Sequence, residues 1–284
     1  MVGRVNERPP IPLVELVVHY REFKTGRYRT QAARRELAEQ AGYVDLLAAM
    51  FSRSVDAFRP YTNIGEHFIG GTRTERVEIA STDQIVSGPN AAAYLAQMPQ
   101  PIAIQGLGEY SYVDREVEPA RTTAGPEATM ANRYDNGDPS TRAISADLLL
   151  RSNPDGRPAA GEVKVSTASG DDSDPVLALV QALTAAAQLA GNAQRARLLR
   201  CYDSAGFASS GPLDVLVFHI RVGQRPGGKT HHPALVEAAG KLCNRLDRGL
   251  LGPHVDRVAL IDAVPALQFT RVTAYEGAHE QVLI

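Results

Sequence analysis

Three charged residues in the second half of the chain have the types and spacing for phosphoryl chemistry: Asp147 in the run ISADLLL, and Glu162 and Lys164 in GEVKV. On a strand, alternate side chains share a face, so Glu162 and Lys164 point one way while Val163 and Val165 point the other. A carboxylate at position 147, inside an apolar run, is expensive to bury without a cation or donors to meet it. A symmetric hairpin centred on Pro154 and Asp155 makes Asp147 and Glu162 direct cross-strand neighbours. Two facing carboxylates repel, and a divalent cation turns that repulsion into binding. Held there, Mg²⁺, or Mn²⁺ in its place, would suit phosphodiester hydrolysis, with Lys164 orienting water or stabilising the transition state and the Val163 carbonyl as a further ligand.

The elements that must position these residues read clearly in this region. RAISADLLLR and AAGEVKVST read as strands around the turn-rich SNPDGRP, and DPVLALVQALTAAAQLAG follows as an apolar helix with Asp174 as its cap and Pro175 at its first position. LDVLVFHIRV reads as a buried central strand, with His219 a satisfied strand residue. HHPALVEAAGKLCNRLDRGLL reads as an amphipathic helix opened by His231 and His232, and VDRVALIDAV as a further strand. The expected fold class is α/β, a mixed central β-sheet flanked by helices. Residues 1–70 are expected to be an N-terminal helical segment, broken near Gly42, packed on a core of residues 71–284. Short strands are expected at RVEIAS, PIAIQ and EYSYV, and a long loop at TTAGPEATMANRYDNGDPS.

An aspartate ending one strand, E-x-K on the next and a helix after it resemble the PD-(D/E)XK nuclease superfamily, over roughly residues 142–222. The resemblance implies a restriction-endonuclease-like core, with Asp147 and Glu162 as magnesium ligands, Lys164 assisting hydrolysis, and Gln181 on the following helix supporting the site. It also implies a nucleic-acid substrate, DNA ahead of RNA. Ala146 stands where a proline often precedes the aspartate. An additional upstream acid is expected, and Glu36, Glu39, Glu109 and Glu127 are all eligible. The alternative class is a non-catalytic DNA-binding or oligomeric interaction protein that keeps this fold.

A formal net charge of −2 over 284 residues gives no global attraction to nucleic acid, so binding would rest on metal ions and local basic stretches such as RYRTQAARRE and RVGQRPGGK. Cys201 and Cys243 lack the close spacing of zinc or redox motifs and read as free thiols. Prolines and charges interrupt each apolar run near the N-terminus, which excludes a signal peptide or membrane span there and leaves a cytoplasmic protein, able to form a homo-oligomer, as the expectation.

Overall fold

In the computed structural model, residues 15–58, 81, 84–98, 101–117, 145–166, 173–221, 233–264 and 268–272 are described. The expected RVEIAS strand, apart from Ser81, the long loop, Glu127, His231, His232 and most of RVGQRPGGK lie outside them.

Among the described residues seven strands form a ring: β1 (Ile102–Gln105), β2 (Gly108–Val117), β3 (Ala146–Ser152), β4 (Pro158–Val165), β5 (Leu213–Ile220), β6 (Val255–Val264) and β7 (Gln268–Arg271). β1 to β4 run antiparallel in sequence order, β4, β5 and β6 are parallel neighbours, and β7 returns antiparallel beside β6. A parallel pairing of Ile104 with Phe269 and of Gln105 with Thr270 closes the ring. The expectation of an open restriction-endonuclease-like sheet is therefore overturned: this is a closed mixed β-barrel. The physical reason is β7, a short strand that satisfies the free edges of β6 and β1 together.

The helices are α1 (Glu15–Lys24), α2 (Gln31–Glu39), α3 (Tyr43–Phe58), α4 (Gly88–Ala96), α5 (Pro175–Leu189), α6 (Asn192–Cys201) and α7 (Pro233–Leu246). Gly42 falls between α2 and α3, at the expected break. α5 is buried at every residue except Gln181, because the barrel lies on one side of it and α1, α3 and α7 on the others. The outer core joins these helices to alternate strand residues such as Leu149, Ala160, Val215, Val217, Val258 and Leu260. The opposite strand faces, including Leu148, Val163, Leu216, Phe218 and Ile261, pack in a second core with the small residues of α4. β4 is thus buried on both faces, Glu162 and Lys164 included. Cys201 and Cys243 are not joined in a disulfide, and no single helix among the described residues is long and apolar enough to cross a membrane.

At the hairpin end of the barrel, the Tyr110 hydroxyl donates to Asp214 Oδ2 at 2.8 Å. Arg157 Nε lies 3.3 Å from Asp214 Oδ1, an attraction between charges without hydrogen-bond alignment. Burial pushes the Asp214 carboxyl up to about 6, against the opposing pull of Arg157 and Tyr110. The folded protein thus holds this proton more tightly than the unfolded chain. Its stabilising contribution is complete below the ordinary carboxyl value of 3.8 and is lost as pH rises through about 6. Asp214→Asn is expected to remove a pH dependence on the order of 3 kcal/mol between roughly pH 4 and pH 7. Urea unfolding across that range checks this, and parallel curves for the two proteins would refute it.

Candidate functional site

The β3–β4 ladder pairs Leu148 with Gly161, Leu149 with Ala160, Leu150 with Ala159 and Arg151 with Pro158, the register of a hairpin centred on Pro154 and Asp155. One step further along that register sets Asp147 opposite Glu162. Asp147 is half-buried and its Oδ2 accepts the Val163 backbone N–H at 2.9 Å. Lys164 Nζ donates to Glu162 Oε1 at 2.9 Å, a pair formed by two residues on the same face of one strand. Among the described residues Glu162 Oε2 is buried and receives no hydrogen bond from a donor group, while the Asp147 carboxyl lies within hydrogen-bonding reach of Glu162 when one of the two is protonated.

The electrostatics follow from this geometry. Burial, and then the Asp147 charge, push the Glu162 carboxyl well above its usual range, and the Lys164 ammonium only partly offsets them. Burial pulls Lys164 down, but the charges of Glu162 and Asp147 and the hydrogen bond to Glu162 outweigh it and hold the ammonium above its ordinary range.

Whether a hard divalent cation fits can be judged from the oxygen donors. Glu162 Oε2 meets no donor among the described residues, and Asp147 supplies a second carboxylate within hydrogen-bonding reach of Glu162. Gly88, the first residue of α4, passes close to the Val163 carbonyl on the Asp147 side of the strand, too close for any larger residue. A Cβ there would stand 2.8 Å from the Val163 carbonyl oxygen and 4.0 Å from Asp147 Oδ2. Two carboxylates and one carbonyl match Mg²⁺, which keeps several waters and needs few protein ligands. Among the described residues, no three His, Cys, Asp or Glu side chains are grouped to hold a metal by themselves.

Gln181 is the one α5 residue that is not buried, yet no hydrogen bond among the described residues joins it to the three charges. Of the upstream acids, Glu36 and Glu39 are exposed on α2, and Glu109 is exposed near Asn153 at the far end of the hairpin. Glu116, which the sequence does not single out, lies between the pairs Arg115–Leu148 and Val117–Ala146 and so stands across from Asp147. Its φ of 51° is a left-handed conformation that non-glycine residues rarely adopt. No sequence signal marks such strain at a glutamate. The basic stretch on α2 divides: Arg35 is exposed and 3.9 Å from Glu39, whereas Arg34 is buried inside the molecule.

No family model, no curated protein and no solved structure matches this chain. The candidate site therefore rests on its own geometry.

Proposed function

We propose that the protein is a Mg²⁺- or Mn²⁺-dependent nuclease that hydrolyses phosphodiester bonds, DNA ahead of RNA, at Asp147, Glu162 and Lys164. The observation that carries this reading is the close approach of the buried Glu162 carboxyl to Asp147, with an ammonium on Glu162 Oε1. Two carboxyl groups this close repel when both are ionised, and a cation bound between them relieves that repulsion as a shared proton would. Asp147, Glu162 and the Val163 carbonyl would hold that cation, which when bound neutralises charge on the phosphoryl oxygens and makes a water more acidic. Lys164, kept charged by its neighbours, donates to a phosphoryl oxygen as negative charge develops in the transition state.

A non-catalytic DNA-binding or interaction protein is the second reading. It is favoured by one contact, the Asp147 Oδ2 hydrogen bond to Val163, which already locks the end of the hairpin. Calorimetric titration with Mn²⁺ and cleavage of linear, circular and single-stranded DNA separate the two, using the wild type, Asp147→Asn and Glu162→Gln. The nuclease reading expects Mn²⁺ binding that both substitutions weaken, with cleavage lower by about a hundredfold or more. A wild type that binds DNA but neither takes up Mn²⁺ nor cuts would establish the second reading.

A further inference from the structure

The carboxyl ends of β5 and β6, beside that of β4, carry polar side chains that the hairpin chemistry leaves unused. The register pairs Lys164 with His219, and His219 with Asp262, so three side chains form a row across three parallel strands. They share the helix-covered face. Val215 and Val217 on β5, and Val258 and Leu260 on β6, belong to the outer core, and alternation carries positions 219 and 262 to the same side. In open and closed parallel sheets alike, the carboxyl ends of strands are where ligands meet the protein.

His219 lies in a strand buried at every residue, and its Nδ1 is 3.4 Å from Asp262 Oδ1. Arg221 grips the same aspartate, with Nε 3.0 Å from Oδ1 and one Nη on Oδ2. Burial opposes the Asp262 charge, but the His219 hydrogen bond and the Arg221 guanidinium prevail and hold its carboxyl below the usual range. An ionised aspartate at Nδ1 selects the imidazole tautomer whose Nε2 is the basic nitrogen. A histidine needed only for packing would not require a carboxylate fixed by an arginine, one strand from a buried lysine–glutamate pair.

We propose that His219 is the general base of the site and that Asp262 positions it, an inference that rests on the phosphodiesterase reading above. The water oxygen bonds to phosphorus while its proton passes to His219 Nε2. The P–O ester bond breaks, the departing alkoxide takes a proton from bulk water, and His219 returns its proton to solvent. Sequence alone makes His219 a satisfied strand residue, and the row across the strands is what gives it this second role.

The test uses the full chain with Mn²⁺ and bis(p-nitrophenyl) phosphate, comparing wild type, His219→Ala, Asp262→Asn and Asp147→Asn. His219→Ala is expected to lower kcat by about 10²–10⁴-fold with KM nearly unchanged, and Asp262→Asn by at least about tenfold. Added imidazole is expected to restore part of the activity of His219→Ala, and its Mn²⁺ titration should match the wild type. If the alanine variant does not fold, His219→Gln takes its place: a lost kcat at an unchanged melting temperature supports the base. Wild-type kcat in a folded His219 variant, or lost activity that imidazole does not rescue in His219→Ala, overturns it. Activity that Asp147→Asn abolishes while the His219 variants keep it removes the base and leaves the nuclease reading standing. A wild type that hydrolyses nothing removes both.

Discussion

Arg34→Ala is expected to lower stability by about 3–5 kcal/mol, the cost of removing one partner from a buried ion pair. Arg34 and Asp174 are both buried, with Nη1 3.0 Å from Oδ2. The other Asp174 oxygen caps α5, accepting the backbone N–H of Val176 at 2.9 Å and of Leu177 at 3.0 Å. The remaining guanidinium donors reach the carbonyls of Tyr28 at 2.8 Å, Arg29 at 3.2 Å and Phe23. One side chain thereby fastens the end of α1, the turn into α2 and the start of α5. Alanine would leave an uncompensated carboxylate and several carbonyls in the core, and the melting temperature should fall by roughly 10 °C. Arg34→Lys is expected to recover little, because an ammonium lacks the planar fork that meets four acceptors. Thermal unfolding of both variants checks this, and a wild-type melting temperature in Arg34→Ala would refute it.

Lys164→Met carries the second large effect. It leaves Glu162 buried without its cation, a loss of about 3–5 kcal/mol when the carboxyl is ionised. Burial and the Asp147 charge already raise the Glu162 carboxyl, and removing Lys164 takes away the influence that opposes them. A raised carboxyl favours the folded state at low pH, and that contribution fades as pH climbs through the raised value. The variant should therefore be closest to wild type near about pH 5 and furthest below it near about pH 8. Pairing it with Glu162→Gln is expected to recover most of the stability at the higher pH, since no buried charge remains unpaired. Urea midpoints at the two pH values decide the matter, and a pH-independent deficit would remove the ionised Glu162 from the explanation.

Local features of the hairpin are legible in the amino-acid sequence. Turn residues at Pro154 and Asp155 dictate the pairing of β3 with β4, and Asp174 followed by Pro175 marks the start of α5. Apolar runs likewise mark β5 and β6. What escapes is non-local. β1 and β7 are four residues each, and nothing within either segment announces a partner more than a hundred residues away, so the closed barrel reads as an open sheet. α4 is hidden because GPNAAAYLA is alanine-rich and lacks a polar face, and α1 because the prolines ahead of it mask its start. Arg34 sits in a basic stretch whose composition suggests solvent. His219 acquires its neighbours only when β4, β5 and β6 are laid side by side.

The seam between β1 and β7 also sets an order of events during synthesis. β1 leaves the ribosome with its partner still some 160 residues from being made, going by the pairing of Ile104 with Phe269. The β2–β3–β4 meander and the parallel strands can assemble meanwhile, but the edges of β1 and β6 stay open until residue 271 has emerged. Closure is thus a late, long-range step, and the unfinished barrel passes through a period in which two bare strand edges are available for pairing with other chains.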